Sequence, residues 1–359
     1  MSAREQKGFY DEIDSIDRIE IALVGIHSTR FGEVKVIAPD LTFKEKMMNF
    51  FVQQGFKRND YKVSPGLYVL GEPNADSDVF VTANYKLSVD VFRQNYKGNC
   101  WLLVLDTHGI NVWCAAGKGT FGTNELIRMI SKSRLSRLVN HKRIIVPQLG
   151  APGVSGYLVS KKTGFKVIFG PVRAQDLGQF IKGGYLSEAK MRKVTFTLKE
   201  RLILTPLECM QSLRYGLASF VLFAVLVVLT SNLTPFEGDI VRLLWVFIGT
   251  VIVGSVLFPV VLPYLKGRAF TKKALPLTLV WFISIQIFMQ ATPYELLANI
   301  GTGLSAASLV EFFALNFTGA TPITSYSETK EETLKVIPWI IGVYIVGIIA
   351  FTLSIWQVI

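Results

Sequence analysis

The fold of the first half of the chain follows from residues 101–118, which read WLLVLDTHGINVWCAAGK. The segment 101–107 is continuously apolar and ends in polar residues, which is typical of a strand buried in a parallel sheet. Asn111 is a favoured N-cap residue, so we expect a short helix that begins at Val112. The pattern therefore predicts a strand, a loop and a helix, with Cys114 at the third helical position.

Strand-like and helix-like segments alternate on both sides of this run. The strand-like segments are RIEIALVGI (18–26), GLYVLG (66–71), the start of VFVTANYKLSVDVFRQNY (79–96), RIIVPQLG (143–150) and FKVIFGPV (165–172). Helical spacing occurs in LTFKEKMMNFFVQQGF (41–56), the end of 79–96 and TNELIRMISKSRL (123–135). This alternation predicts a Rossmann-like α/β domain with a mainly parallel sheet. Ligands of such sheets bind at the carboxyl ends of the strands, so we expect a site directly after Asp106, Pro147 and Phe169.

The second half of the chain is far more apolar than the first. Apolar residues make up 50% of the chain, its mean hydropathy is +0.38, and the long apolar runs begin near Tyr215. Five runs approach the roughly 20 residues that a bilayer helix needs. They lie near 212–231, 243–264, 274–292, 296–315 and 336–356. We therefore expect two domains: 1–200, the α/β domain with a short leader, and 201–359, an all-α transmembrane bundle of about five helices.

Charge is concentrated in the first half. Nine basic and eight acidic residues follow residue 200, so ten of the eleven net positive charges lie in 1–200. A basic domain favours an anionic membrane face or an acidic partner. Residues 1–200 show no nucleic-acid-binding module and no aromatic-rich basic stripe, so nucleic acid is not an expected partner.

Loop charges predict the orientation in the membrane. The segment KGRAFTKK, 266–273, between the second and third runs carries four basic residues. Such loops stay in the cytoplasm, and the N-terminus shows no secretory signal peptide. We therefore expect a multi-pass protein of the cytoplasmic membrane whose α/β domain lies in the cytoplasm.

Cys114 occupies an unusual setting for one of only three cysteines. An odd number of cysteines without a CxxC pair argues against a disulfide framework, a zinc site or an iron–sulfur cluster. Backbone N–H groups at the start of a helix favour a thiolate. Ala115, Ala116 and Gly117 leave room for a flat group beside an apolar wall at Trp113. Chemistry alone leaves three interpretations of Cys114 open: a nucleophile, a soft-metal ligand or a buried cysteine.

The motif NVWCAAGK, 111–118, resembles the signature of the mercury-methylating corrinoid protein family. The first half also resembles the corrinoid-binding domain of the corrinoid iron–sulfur protein of acetyl-CoA synthesis, and VTANYKLS, 81–88, resembles one of its cofactor-contacting loops. The chain departs from that relative because it lacks a cysteine cluster and has five apolar runs. The resemblance implies a cobalamin-type corrinoid, methylated on cobalt, with Cys114 as the lower axial cobalt ligand. The residues implied to line the lower face of the ring are Asn111, Val112, Trp113, Ala115, Ala116, Gly117 and Lys118.

Other candidate contacts leave two interpretations each. Thr82, Asn84 and Tyr85 either contact the upper face of the ring or only shape their loop. Gly150, Gly153 and Gly170 either approach the cofactor through the backbone or only form turns at strand ends. His108 is an alternative cobalt ligand or a residue at the rim. Cys100 is expected to be structural, and Cys209 is a candidate mercury relay. Glu311 is either a bundle-facing carboxylate or one at a helix end.

The resemblance implies methyl transfer to Hg(II), forming methylmercury. Hg(II) is an electrophile, so methyl must leave Co(III) as a carbanion equivalent or as a radical, and a soft thiolate below cobalt suits that reaction. The implied partners are a ferredoxin-like electron donor with two 4Fe-4S clusters and a methyl-tetrahydrofolate-dependent donor system, in an anaerobic prokaryote.

Two other functions stay open. One is a membrane-anchored corrinoid methyl carrier with a different acceptor. The other is a membrane transporter or sensor with a cytoplasmic ligand domain, which would require polar residues that face one another across the spans. The sequence shows few such residues beyond Glu311, so we expect the membrane part to be an anchor.

Overall fold

The computed structural model describes residues 9, 21–230, 237–289, 296–321 and 326–356. The chain divides into two compact units, Met1–Val194 and Thr195–Ile359. The first is a mixed α/β domain, and the second contains five helices that are long and apolar enough to cross a membrane. This order of an α/β domain followed by about five apolar helices confirms the predicted fold class.

One seven-stranded sheet, in the order β1-β2-β3-β5-β4-β6-β7, forms the centre of the first unit. Its strands are β1 Leu23–Thr29, β2 Gly32–Ile37, β3 Gly66–Leu70, β4 Val79–Ala83, β5 Cys100–Leu105, β6 Arg143–Val146 and β7 Lys166–Phe169. Strands β5, β4, β6 and β7 are mutually parallel. β3 is antiparallel to β5, and β1 is antiparallel to β2. The predicted parallel arrangement therefore applies to the four strands that carry the expected site.

The other half of the sheet differs from the sequence prediction. Strand β2 is not predicted, because its six residues follow a tight turn and give only a short alternation. Strand β1 begins at Leu23, later than the predicted segment 18–26, of which residues 18–20 lie outside the described part of the chain.

Helices cover both faces of this sheet. They are α1 Phe43–Gln53, α2 Lys86–Asn95, α3 Val112–Lys118, α4 Thr123–Lys132, α5 Leu135–Leu138, α6 Gly156–Thr163 and α7 Leu177–Lys182. Helices α3 and α4 pack on the face that carries Leu103 and Leu105. Helices α2 and α7 pack on the opposite face, with Leu102 and Val104. All six residues of β5 are buried, so the strand that leads to Cys114 lies in the core.

A buried ionic cluster joins α1 to α2. It consists of Glu45, Lys86, Asp90 and Arg93, and the side chains of both cations are fully buried. Lys86 Nζ lies 3.0 Å from Glu45 Oε1 and 2.7 Å from Asp90 Oδ2. Arg93 contacts both carboxylates and donates to the carbonyl oxygen of Ala38 at 2.9 Å. Each buried charge is therefore compensated, and removing one partner would leave another charge exposed to the apolar interior.

The second unit is a bundle of long helices. They are α8 Leu198–Thr230, α9 Glu237–Ile252, a π-helical turn Val253–Leu257, α10 Phe258–Val261, α11 Phe270–Met289, α12 Leu296–Phe317 and α13 Tyr326–Trp356. The first and last of these helices start well before the apolar runs near 212 and 336, because polar segments extend them. The ends of the predicted runs at 231 and 290–292 lie outside the described residues.

Helix α12 lies inside this bundle. In the apolar stretch of 18 residues within this helix, 56% is buried, which is more than in the other four candidate spans. Close packing against α13 depends on glycine, since a Cβ on Gly301 would lie 2.6 Å from the carbonyl oxygen of Gly347.

Polar side chains pair between the helices of this bundle. The pairs are Ser219 with Tyr344 at 2.6 Å, Trp281 with Thr250 at 2.9 Å and Thr278 with Glu311 at 2.8 Å. The structure thus adds two such pairs to Glu311, the one polar residue that the sequence prediction named in this unit. The partners lie 31 to 125 residues apart, so no local pattern predicts their contact.

Candidate functional site

The predicted site residues follow strands whose carboxyl ends share one edge of the sheet. Strands β4, β5, β6 and β7 end at Ala83, Leu105, Val146 and Phe169. The segments after β5 and β6 also meet, because a Cβ on Gly153 would lie 3.2 Å from the Cα of Ala116. The fold therefore brings 111–118 and 150–153 together at the carboxyl edge.

Asn111 fixes the start of helix α3. Its side-chain oxygen accepts a hydrogen bond of 2.9 Å from the backbone N–H of Cys114, and its backbone is extended. Gly119 ends the helix in the left-handed conformation, with φ 84°. The helix begins at Val112, as its N-cap predicts, and Cys114 lies in the first turn.

Helix α3 has a buried face and an accessible face. Val112, Ala115 and Ala116 are 7%, 0% and 5% exposed and belong to the apolar core. The accessible residues are Trp113 and Cys114, which are half-buried, and Gly117 and Lys118, which are exposed. A Cβ on Gly117 would meet no atom within 4 Å. The small side chains of Ala115 and Ala116 thus allow close packing on the core, while the open surface next to Cys114 lies at Gly117.

The Cys114 thiol makes no hydrogen bond to any residue that the structure describes. It is half-buried rather than enclosed, so the interpretation as a buried cysteine does not fit it. That interpretation fits Cys100, which is fully buried at the start of β5 and whose thiol pKa is raised by burial. Cys209 lies on α8 of the second unit and is half-buried.

Asn84 organises the loop between β5 and α3. Its side-chain oxygen accepts hydrogen bonds of 3.0 Å from the backbone N–H groups of Thr107 and Gly109, and the Thr107 hydroxyl oxygen lies 2.9 Å away. Its amide nitrogen donates to Asp106 at 3.3 Å. Because Asn84 is 1% exposed and its side chain bonds to neighbouring backbone and to Asp106, its contacts are those of a residue that shapes its loop.

Thr82 and Tyr85, the other residues predicted on this segment, are also buried. Thr82 is 4% exposed and Tyr85 is 4% exposed. The Tyr85 ring packs against Tyr61, and its hydroxyl finds no partner among the described residues. Burial raises the pKa of Tyr85.

His108 lies at the rim of the edge. Its side chain is 73% exposed, its backbone is left-handed with φ 57°, and its Nδ1 atom lies 3.6 Å from Asp106 Oδ1. Glu125 and Thr107, which the sequence analysis did not single out, hold this loop. The Asp106 N–H donates to Glu125 at 3.0 Å, and the Thr107 hydroxyl donates to the carbonyl of Ile110 at 2.6 Å. Their only sequence signal is a polar residue next to a buried strand or in the first turn of a helix.

The glycines after β6 and β7 are explained by packing. A Cβ on Gly150 would collide with the Phe121 ring, and one on Gly153 with the Phe121 carbonyl oxygen. A Cβ on Gly170 would lie 3.2 Å from Ile145 Cγ2. The Gly153 carbonyl also accepts a hydrogen bond of 3.0 Å from the N–H of Thr123. These contacts are those of turns at strand ends.

A cavity of about 780 Å³ lies elsewhere in the first unit, near α1 and α2. Its lining includes Lys35, Glu45, Tyr61, Tyr68 and Lys86, and none of the predicted site residues. Two of its polar groups have partners inside the unit, since the Tyr61 hydroxyl donates to Asn49 at 2.5 Å and the Tyr68 hydroxyl to Ser64 at 2.8 Å. Because its lining includes no predicted site residue, this cavity is distinct from the edge that carries Cys114.

The donor atoms at the edge fit an axial ligand rather than a metal centre built from side chains alone. Among the described residues no three His, Cys, Asp or Glu side chains are grouped to hold an ion. A corrinoid cobalt needs only one axial ligand from the protein, because the ring supplies the equatorial nitrogens. A half-buried sulfur without a partner, beside the open surface at Gly117, is a suitable ligand of that kind.

The α/β unit is similar to subunits of acetyl-CoA-synthesising complexes. A family model described as CO dehydrogenase/acetyl-CoA synthase delta subunit matches residues 25–181. The acetyl-CoA decarbonylase/synthase complex subunit gamma of Archaeoglobus fulgidus is 29% identical over 46% of this chain and 35% of its own length. The gamma subunit of Methanopyrus kandleri is 30% identical over 35% of this chain and 27% of its own length.

The chain spans about a third of the length of these relatives. The match to the family model lies in its α/β half. The names of these relatives refer to acetyl-CoA synthase complexes. The sequence motifs resemble the corrinoid-binding domain of a protein of acetyl-CoA synthesis. The comparisons therefore support a corrinoid-binding domain over residues 25–181, and they contain nothing on mercury.

Proposed function

We propose that the chain binds a corrinoid at the carboxyl edge of its sheet and transfers methyl from it to Hg(II). The observation that carries this proposal is the position of Cys114. It is a half-buried thiol without a hydrogen-bond partner among the described residues, on a capped helix, in a domain similar to those of acetyl-CoA synthase complexes. When bound, the corrinoid supplies the methyl group on its cobalt.

In this proposal Cys114 would hold the corrinoid cobalt through its sulfur. As a thiolate it would supply a soft anionic donor, which would favour methyl transfer to an electrophile such as Hg(II). Asn111 holds the first turn of α3 and so fixes the direction from which the sulfur approaches. Trp113, Gly117 and Lys118 lie on the accessible side of the helix and would contact the ring.

Asn84 acts through the loop rather than on the ring. The two backbone hydrogen bonds that its side-chain oxygen accepts hold the segment 107–109, which leads into the N-cap of α3. The glycines after β6 keep the neighbouring loop close to α3. The two loops thereby position the helix, while Cys114 alone provides the metal ligand.

The remaining parts of the proposal concern location and partners. The five apolar helices cross the cytoplasmic membrane, and the α/β unit lies in the cytoplasm. Reduction of the cofactor between turnovers would need electrons from a separate donor, because the chain has only three cysteines. A ferredoxin-like protein with two 4Fe-4S clusters fills this role, and a methyl-tetrahydrofolate-dependent system supplies methyl. The net positive charge of 1–200 suits an acidic partner.

A methyl-transfer assay tests the function. The full chain in detergent, loaded anaerobically with methylcobalamin, is mixed with Hg(II), and methylmercury is measured against free methylcobalamin. We expect Cys114→Ala to reduce the rate to that of the free cofactor, whereas Cys100→Ala and His108→Ala retain activity. A Cys114→Ala variant as active as the wild type would contradict the proposed role.

The same assay separates the two corrinoid hypotheses. If the loaded wild-type chain methylates a thiol or folate acceptor but leaves Hg(II) at the uncatalysed rate, the chain is a methyl carrier with another acceptor. The comparisons favour this alternative only in its general form, a corrinoid methyl carrier, because they do not distinguish acceptors.

A further inference from the structure

Glu311 is a carboxylate on α12 of the helical unit, and only one of its oxygens has a hydrogen-bond partner among the described residues. Its Oε1 atom accepts a hydrogen bond of 2.8 Å from the Thr278 hydroxyl. Its Oε2 atom is buried and has no hydrogen-bond partner in the described part of the chain. The residue lies on α12, whose apolar stretch is the most buried among the five candidate spans. Glu311 is therefore oriented into the bundle, towards α11.

No described cation neutralises this carboxylate. Lys273 lies on α11, but its ammonium group is directed at the Phe270 ring, 5.5 Å from the centroid. On α13, the carboxylate of Glu332 accepts hydrogen bonds from the N–H and hydroxyl of Thr271, at 2.9 and 2.8 Å. This second carboxylate adds negative charge and supplies no compensation. An ionised Glu311 in such surroundings would be costly, because a buried charge needs a partner.

Unpaired polar atoms continue along the same helix pair. The Gln286 amide nitrogen donates to the carbonyl oxygen of Asn299 at 3.1 Å. Gln286 Oε1 and Asn299 Nδ2 are both buried without a partner among the described residues. Gln286 lies two turns beyond Thr278 on α11, about 12 Å along the axis. Buried polar atoms without partners are uncommon in a structural anchor, and here they recur at two levels of one interface.

The helix that packs beside this interface is locally irregular. The π-helical turn Val253–Leu257 approaches α12 so closely that a Cβ on Gly254 would lie 2.8 Å from Phe313 Cβ. Ser255, in the same turn, is 2% exposed and its hydroxyl is unpaired within the described bundle. Such turns interrupt the regular helical hydrogen bonding and are frequent at functional sites.

We propose that Glu311 is a reversible proton-binding site within the membrane unit, with Thr278 as its hydrogen-bond donor. One free oxygen suffices for a proton, whereas an alkali cation would need several more oxygen ligands than the site provides. The membrane unit then has a function beyond anchoring, because it holds an exchangeable proton on a buried helix. This inference rests on the proposed membrane location and is independent of corrinoid binding.

Labelling with dicyclohexylcarbodiimide tests this site. The reagent enters apolar regions and adds to a protonated carboxyl group, giving an N-acylurea that mass spectrometry locates. The full chain is treated in vesicles, alongside Glu311→Gln and the exposed-site control Glu331→Gln. We expect label on Glu311, loss of that label only in Glu311→Gln, less label as the pH rises, and no effect of Na⁺ or K⁺ at constant pH.

Three results would overturn the inference. The first is an inserted wild-type chain without label on Glu311, and the second is label that Na⁺ or K⁺ removes at constant pH, which would assign the site to an alkali cation. The third is release of the chain from vesicles by alkaline carbonate, which would remove the membrane location itself. Failure of the corrinoid proposal would appear separately, in the methyl-transfer assay.

Discussion

The interior of the α/β unit and the carboxyl edge of its sheet hold different kinds of polar residue. In the interior every charge of the cluster is paired, among Glu45, Lys86, Asp90 and Arg93. At the edge, Cys114 and His108 are accessible and have few partners. The paired interior groups connect α1 to α2 and are typical of structural residues. The accessible groups at the edge contribute little to packing and are free to bind a ligand. Interior substitutions should therefore change stability, and edge substitutions should change cofactor binding.

The largest effect on stability is expected from Asp90→Ala. This change leaves two buried cations, Lys86 and Arg93, with Glu45 as their one remaining carboxylate in the cluster. Breaking a buried pair in this way costs about 3–5 kcal/mol. Hydrogen exchange of the α2 amides in the full chain measures the loss. The control is Asp40→Ala, which removes only the exposed pair with Lys97 and should cost less than about 1 kcal/mol. Equal effects of the two substitutions would disprove the distinction between interior and surface charges.

Acid should weaken the same cluster within a defined pH range. Burial by itself would raise the pKa of Glu45, but hydrogen bonds from Thr42 and Lys86 and the charges of Lys86 and Arg93 outweigh it and lower the pKa from 4.5 to about 2. The stabilisation is thus complete above pH 4.5 and is lost as the pH falls towards 2. The stability difference between the wild type and Glu45→Gln should shrink across that range. A stability difference that stays constant from pH 5 to pH 2 would argue against a lowered pKa of Glu45.

Asn84 lies between the two regions and should affect both. Asn84→Ala leaves the buried N–H groups of Thr107 and Gly109 unpaired, which costs about 1–3 kcal/mol. Because this loop leads into α3, corrinoid affinity should fall as well. Asn95→Ala, on the exposed side of α2, is the matched control and should change neither quantity. A normal corrinoid affinity in Asn84→Ala would show that the loop does not position the helix.

The smallest effect is expected from Asn111→Ala. Loss of this N-cap should cost about 1 kcal/mol, and Asn111→Asp should restore most of it. Hydrogen exchange of the α3 amides measures the local stability, and corrinoid titration measures the positioning of Cys114. If Asn111→Asp fails to restore both quantities, Asn111 does more than cap the helix.

The sequence predicts local features well and tertiary neighbours poorly. Asn111 predicts the start of α3 because an N-cap acts within three residues. The burial of Ala115 and Ala116 depends on how the helix rotates onto the sheet, which no local pattern contains. The need for glycine at 150 and 153 arises from Phe121, about 30 residues earlier in the chain. In the helical unit, Thr278 and Glu311 meet only after two helices pack together.

Spectroscopy of the full chain, loaded anaerobically with a corrinoid, tests the role of Cys114 most directly. Ultraviolet–visible and paramagnetic-resonance spectra of the Co(II) state are compared between wild type and Cys114→Ala. Thiolate ligation predicts a wild-type spectrum without axial nitrogen hyperfine coupling, and a changed spectrum when Cys114 is removed. Nitrogen coupling in the wild type that persists unchanged in Cys114→Ala would contradict it and assign the axial position to His108 or to the cofactor's own base.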